Sequence, residues 1–220
     1  MPSTPEVATR RRCTAFHGAN RIASGELEHV ARETKALIDT GQTSLVLVFD
    51  DATSAPIDID FRGTLEDVLR RVSALTEGPG NGDRQQGQAD PPGNGDRQTG
   101  QGEAPRRPGR PRLGVVAREV TLLPRHWEWL NSQPGGASVA IRRLVEHARR
   151  ANAGKDRVRQ AQEAAYRFMS AMAGDRPGFE EAARALFAGK RERFEEETAS
   201  WPVDIRDHAR VLASAAFENA

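Results

Sequence analysis

Apolar residues recur at two different periods in the first third of the chain. From Glu26 to Asp39 they return every three or four positions, which is typical of an amphipathic helix that Ser24 caps and Gly41 ends. Leu45–Phe49 is a continuous apolar run, the pattern of a short buried strand. In Ile57–Phe61, apolar residues alternate with Asp58 and Asp60, the pattern of a half-buried strand. The sequence therefore predicts one helix followed by two strands.

Two further patterns extend this module at its ends. Thr14–His17 favours an opening strand, and Leu65–Leu75 has apolar residues at helical spacing. Thr64 and Asp67 stand at the start of that helix with the spacing of a capping box. We predict a small β-α-β-β-α module over residues 13–77, after a disordered N-terminus at residues 1–12. The fold class expected for the whole chain is α+β.

The periodic pattern stops between residues 78 and 114. Gly78–Ala104 holds eight glycines and no apolar side chain larger than alanine, so it cannot form a core and is expected to be disordered. Inside it, PGNGDRQQGQ at Pro79–Gln88 returns as PGNGDRQTGQ at Pro92–Gln101, which we interpret as the duplication of a tolerated linker. We therefore expect two modules that are tethered by a flexible segment rather than held in one arrangement.

Residues 115–150 predict a strand, a helix, a turn and a second helix, in that order. Val115–Leu123 is rich in β-prone residues, and Pro124 suits the first turn of a helix. QPGG at Gln133–Gly136 interrupts the chain, and Ser138 favours the start of another amphipathic helix. A lone strand has an unpaired backbone edge, so we expect another strand to pair with it.

Apolar residues at helical spacing fill the last part of the chain, residues 151–218. Pro177 with Gly178, then Gly189 and Pro202, divide them into separate segments. We predict a small helical bundle, with the methionines and phenylalanines of these segments in its core.

Charge is distributed unevenly along the sequence. The formal net charge is +1, yet Arg106–Arg150 holds ten arginines, three glutamates and neither lysine nor aspartate, a net charge of +7. Thr14–Gly78 holds six basic and eleven acidic residues. A basic segment in a near-neutral chain favours a polyanionic partner such as nucleic acid, and arginine suits bidentate contacts with phosphate.

Several classes of protein are not favoured by these residues. The sequence has no phosphate-binding glycine loop and no HExxH or CxxC motif, so we expect no enzyme, no cofactor and no metal site. The longest apolar run is far shorter than the ~20 residues of a membrane span. The single cysteine, Cys13, suits a reducing cytoplasm. Four aspartates of the first module are interpreted as solvated surface rather than as metal ligands: Asp50, Asp51, Asp58 and Asp60.

REVTLLPRHWEWL, followed by GGASVAIRRLVEHARR, resembles the ribbon-helix-helix DNA-binding fold. The resemblance implies a homodimer, in which each chain contributes residues 118–123 to an antiparallel ribbon that lies in the major groove of DNA. It implies helices at Arg125–Gln133 and Ala137–Arg149. It also implies an anion bound by the backbone N–H groups of Gly136–Ser138, at the start of the second helix.

The face that the ribbon presents to DNA is left open by the sequence, because a shift of one residue exchanges the two faces of a strand. In one register Glu119 faces outward, where it could accept a hydrogen bond from a cytosine amino group. In the other register, Arg118 and Val120 face outward. The alternative to the ribbon is a strand-helix-helix element that pairs within a larger domain of the same chain.

RRPGRPR at Arg106–Arg112 resembles an AT-hook, whose Gly-Arg-Pro core lies in the narrow minor groove of A·T-rich DNA. Pro108 stands where an AT-hook has arginine, so a general basic arm is the alternative. The two resemblances together give the residues expected to contact DNA: Arg106, Arg107, Arg110, Arg112, Arg118, Thr121, Arg125, Gly136, Ser138 and Arg142.

Three stretches resemble a bacterial family: LPRHWEWLNSQPGGASVAIRRLVEHARR, AGDRPGFEEAARALFAG and SWPVDIRDHA. The family is the domain of unknown function 2239, and the resemblance covers nearly the whole chain outside the linker. It implies no particular activity.

From the basic segment and the two DNA-binding resemblances, we favour a DNA-binding protein of the cytoplasm, with transcriptional regulation as one role. The alternative is a non-catalytic interaction or scaffold protein whose basic segment binds an acidic protein surface.

Overall fold

The computed structural model describes residues 12–41, 45–76 and 118–218. In these residues the chain forms a three-stranded antiparallel sheet and seven α-helices, so the fold belongs to the α+β class. None of the helices formed by these residues has both the length and the apolar character that crossing a membrane requires. Residues 1–11 and the linker at residues 78–114 lie outside the described part. The disorder expected there therefore stays a prediction.

The sheet consists of β1 (Arg12–His17), β2 (Asn20–Glu26) and β3 (Val46–Asp50), in the order β2-β1-β3. β1 pairs antiparallel with both neighbours. Gly18, at φ 56°, allows the tight turn between β1 and β2, because glycine readily adopts a left-handed backbone. Successive side chains of β1 point to opposite faces of the sheet, so this central strand contributes to two different cores.

β2 is a strand that the sequence pattern does not predict. Ser24, the predicted helix cap, lies within β2 opposite Thr14, and the first helix, α1, spans Leu27–Asp39. The strand, NRIASGE, has few large apolar residues, so its pairing with β1 rather than its own pattern decides its conformation. The predicted capping role of Ser24 is wrong.

The strand predicted at Ile57–Phe61 is not formed. A single bridge joins Phe49 to Pro56, and the Ile57 N–H donates to Val48 O at 2.7 Å, but the pairing does not continue into a strand. Ile59 is nevertheless buried. The alternating pattern therefore identifies a buried residue correctly, although the segment does not continue a hydrogen-bonded ladder.

Two helices cover one face of the sheet. α1 and α2 (Leu65–Thr76) pack over a core that holds these residues: Cys13, Ala15, Leu27, Val30, Ala31, Val48, Ile59, Val68 and Val72. The capping box before α2 is confirmed, because Thr64 N donates to Asp67 Oδ2 at 3.1 Å and Asp67 N donates to Thr64 Oγ1 at 3.3 Å. The local sequence thus determines where α2 begins.

The C-terminal part of the chain is helical, as predicted. The helices are α3 (Pro124–Ser132), α4 (Gly136–Ala173), α5 (Phe179–Phe187), α6 (Arg191–Glu197) and α7 (Val203–Ala213), followed by a 3-10 turn at Ser214–Phe217. Both ends of α3 lie within one residue of the prediction, but α4 is much longer than the predicted Ala137–Arg149. It continues past Arg150 because no proline interrupts it and the single Gly154 costs only about 1 kcal/mol.

The second face of the sheet packs against the C-terminal helices. The ring centroid of Phe168, on α4, lies 5.3 Å from those of both Phe16 and Phe49, and the same core continues through α5, α6 and α7. Residues 12–76 and 148–218 therefore belong to one compact unit, the first unit, and residues 118–147 belong to a second unit. The sequence pattern divides the first unit between two modules, whereas in the structure its two parts share a core.

Candidate nucleic-acid interface

Segment 118–123 precedes α3 and belongs to no strand in the part of the chain that the structure describes. Leu123 ends the segment in an extended conformation, with φ −67° and ψ 149°, and its carbonyl accepts hydrogen bonds from His126 N at 2.8 Å and Trp127 N at 3.2 Å. Pro124 occupies the first turn of α3, as predicted. The ribbon needs a second strand from outside these residues, so it stays a prediction.

A groove of about 400 Å³ lies between segment 118–123 and the two helices of the second unit. Its lining consists of one histidine, His126, and seven apolar side chains: Val120, Leu122, Trp129, Leu130, Ile141, Leu144 and Val145. Leu130 is buried, but Val120, Leu144 and Val145 are 55%, 48% and 59% exposed. Contiguous exposed apolar side chains mark a surface that binds another molecule. We name this surface the apolar groove.

Segment 118–123 presents alternate residues to the apolar groove. Val120 and Leu122 line it, whereas Glu119 and Thr121 are exposed and do not line it. Since alternate residues of an extended chain face opposite sides, Glu119 and Thr121 lie on the side away from the groove. Of the two registers that the sequence leaves open, this placement fits the one in which Glu119 faces outward, and the ribbon itself stays a prediction.

The turn between α3 and α4 depends on two glycines. Gly135 and Gly136 have φ angles of 88° and 75°, a region that other residues rarely adopt. A Cβ atom on Gly135 would also lie 3.1 Å from Val139 Cβ. The Gly136 N–H donates to Gln133 O at 2.9 Å, so this amide serves the turn rather than an anion. The anion site at the start of α4 stays a prediction.

The residues expected to contact DNA fall into two groups. Four arginines of the basic arm lie outside the described residues: Arg106, Arg107, Arg110 and Arg112. The other six belong to the second unit: Arg118, Thr121, Arg125, Gly136, Ser138 and Arg142. The structure brings two of these together, because Arg142 Nε donates to Ser138 O at 3.1 Å, which holds this guanidinium near the start of α4.

Basic charge within the second unit itself is modest. Residues 118–147 hold four arginines and three glutamates. Most of the +7 of Arg106–Arg150 comes from the basic arm and from Arg149 and Arg150, further along α4. Most of the electrostatic attraction to a polyanion in this part of the chain would therefore come from arginines outside residues 118–147.

The sequence contains a signal for the apolar groove, but not the groove itself. Trp129 and Leu130 follow His126 by three and four positions, and the lining residues of α4 have the same spacing. This pattern indicates one apolar face on each helix. Only the structure shows that the two faces and segment 118–123 form one surface.

Of the four aspartates interpreted as solvated surface, Asp58 is exposed, Asp51 and Asp60 are half-buried, and Asp50 is not at the surface. Asp50 is buried, and its Oδ1 accepts hydrogen bonds at 2.9 to 3.1 Å from Ala52 N, Thr53 N and Thr53 Oγ1. Its interpretation as surface is wrong, because this carboxylate holds the turn after β3. A hydrogen bond from Arg62 at 2.9 Å keeps the pKa of Asp60 well below its usual range. Within the described ranges, no three His, Cys, Asp or Glu side chains are placed to hold a metal ion.

Comparison with known proteins identifies one family. Its sequence model, described as "Uncharacterized protein conserved in bacteria (DUF2239)", matches residues 12–213. The match runs from the first residue of β1 to the last residue of α7. No curated protein and no solved structure matches the chain.

Proposed function

The chain belongs to the DUF2239 family of proteins conserved in bacteria, and for it we propose a function as a homodimeric DNA-binding protein. Each protomer contributes segment 118–123 to a ribbon, and arginines of Arg106–Arg150 contact phosphates. Base readout by a ribbon and phosphate contacts by arginine together make a specific interface with DNA. Binding at discrete sites would give the protein a regulatory role in transcription.

The apolar groove is the observation on which this proposal depends. An apolar side chain of this size gains roughly 1.5–3 kcal/mol when it passes from full exposure to full burial. Val120, Leu144 and Val145 are each about half exposed. Covering the groove would therefore contribute several kcal/mol to association.

A second copy of the chain suits the groove for two reasons. Two copies of segment 118–123 can pair antiparallel, which satisfies backbone N–H and C=O groups that have no strand partner in the described residues. The same two-fold arrangement brings the two apolar grooves together, because a symmetric dimer uses the same patch on both chains. The ribbon-helix-helix resemblance implies this arrangement.

Arginine side chains support DNA as the partner of the dimer. Arg118 and Arg125 are exposed, and Arg142 lies near the start of α4. The basic arm adds four more arginines to each protomer. Each phosphate that an arginine neutralises releases counterions, so log K should fall with log salt by about 0.9 per contact.

A pair of matched valine substitutions tests the proposal. Val145 in the apolar groove and Val203 on α7 are both 59% exposed. We expect Val145→Asn to shift the dimer toward monomer in sedimentation at micromolar concentration. It should weaken binding to duplex DNA by roughly 10-fold or more, since each 1.4 kcal/mol of lost burial is about a factor of 10. We expect Val203→Asn to leave both properties unchanged.

Two outcomes would count against the proposal. Sedimentation of the wild-type protein as a monomer at micromolar concentration would contradict the ribbon. A dimer that does not bind duplex DNA at low salt would instead favour an interaction or scaffold protein, in which the basic segment binds an acidic protein surface.

A further inference from the structure

Glu119 is an exposed carboxylate of segment 118–123 that does not line the apolar groove, whereas the next residue, Val120, does. In the part of the chain that the structure describes, no basic side chain forms an ion pair with it. Thr121 lies on the same side, about 7 Å further along an extended chain. When a second copy covers the groove, this side of the segment is the one that stays free.

We propose that Glu119 selects cytosine in the DNA site, an inference that rests on the proposed function. The ribbon would present Glu119 and Thr121 of each protomer to base edges in the major groove. The two-fold symmetry of the dimer then requires a cytosine at the equivalent position of each half-site, one on each strand.

The chemistry of the carboxylate favours cytosine over the other bases. An ionised carboxylate can only accept hydrogen bonds. In the major groove cytosine presents its N4 amino donor, whereas guanine presents the acceptors N7 and O6, and thymine presents the acceptor O4. Adenine has an N6 amino donor, but the adjacent N7 acceptor repels the second carboxylate oxygen. Cytosine is therefore the base that offers Glu119 a donor with no acceptor on its own major-groove edge.

The same carboxylate opposes binding to phosphates. A negative side chain at the DNA surface lowers affinity for every sequence, and a cytosine donor offsets that loss only at the correct site. Glu119 would thus weaken non-specific binding more than specific binding. Its contribution is selectivity rather than affinity, while the arginines of the arm and of the second unit provide the attraction.

Selection from a library of random duplexes, with the full-length protein, tests the inference. We expect wild-type protein to enrich sites with a symmetric pair of cytosines. Glu119→Gln should lower the preference at that pair by roughly 10-fold, which is within the range of one base contact, and should tighten binding to random duplexes. Glu128→Gln is the matched control, because it removes an exposed glutamate of α3. It should tighten binding without changing the base preference.

The outcomes separate this inference from the proposed function. Enriched sites without the cytosine pair, or a cytosine preference that Glu119→Gln retains, would overturn the role of Glu119 and leave DNA binding in place. Equal changes of preference in the Glu119 and Glu128 variants would also overturn it. Failure of the wild-type protein to bind any duplex at low salt would overturn the proposed function and the inference together.

Discussion

His208 is a buried imidazole in the core that the sheet shares with the C-terminal helices. It lies on α7, with its ring centroid 4.6 Å from that of Phe168 and 5.4 Å from that of Phe16. Burial lowers its pKa below the usual value, Asp51 opposes this shift, and Arg21 adds to it. Its Nε2 atom has no hydrogen-bond partner among the described residues. The folded protein therefore favours the neutral form of the His208 side chain.

The buried neutral state of His208 predicts a loss of stability in acid. Below a pH of about 6.5, the unfolded chain takes up a proton at His208 that the folded chain binds only at lower pH. The free energy of unfolding should fall there, by at most about 1.4 kcal/mol per pH unit for one such group. Urea unfolding across this range measures the slope.

Two histidine variants separate this effect from other titrations. His208→Gln should flatten the pH dependence, although it lowers stability overall because it places an amide in an apolar site. His147→Gln replaces an exposed histidine of α4 and should keep the wild-type slope. An unchanged slope in His208→Gln would show that other groups cause the acid dependence.

At the scale of elements, two glycines have opposite effects on the stability of α4 and of the turn before it. Gly135 precedes the helix at φ 88°, and a methyl group there would crowd Val139. Gly154 lies exposed in the middle of the same helix, where glycine has an entropic cost and no side chain. The turn before α4 therefore requires glycine, whereas the helix itself tolerates it.

Alanine at these two positions should change stability in opposite directions. Gly135→Ala should destabilise the turn by about 1–2 kcal/mol, the cost of a left-handed backbone for an L-residue, with the Val139 contact in addition. Gly154→Ala should stabilise α4 by up to about 1 kcal/mol. Thermal unfolding followed by circular dichroism measures both. A Gly135→Ala protein as stable as wild type would contradict the strained turn.

At the scale of the whole molecule, the first unit is built from two parts of the chain that are distant in sequence. Phe16 and Phe49 come from the sheet, and Phe168 comes from α4. The core under α1 and α2 lies wholly within residues 12–76, but each part alone would expose the aromatic side chains that the other part covers.

Limited proteolysis should therefore cut the chain without separating its parts. Trypsin is expected to cleave first at the arginines between residues 84 and 107, because that stretch has the composition of a disordered linker. We expect the two products to elute together in gel filtration and to separate only in denaturant. A fragment that ends at residue 80 should be less stable than the full chain when it is expressed alone, because the Phe16 and Phe49 side of its sheet is then uncovered. Products that separate in native buffer would contradict the shared core.

The sequence by itself determines those features whose physical cause lies within a few residues. The capping box of Thr64 and Asp67, the proline at the start of α3 and the glycine turn before α4 all depend on local backbone geometry. Helical spacing likewise identifies α1, α2 and α3 and the apolar faces that line the groove.

Only the tertiary structure decides the features that depend on residues distant in sequence. β2 has a weak pattern of its own and becomes a strand because β1 pairs with it, whereas Ile57–Phe61 has the pattern without a continuous partner. The register in which Glu119 faces outward is favoured only because Val120 and Leu122 line the apolar groove. The hydrophobic effect is non-directional, because it depends on how much apolar surface leaves water and not on which neighbour covers that surface. A sequence therefore indicates which side chains will be buried, but not which element will bury them.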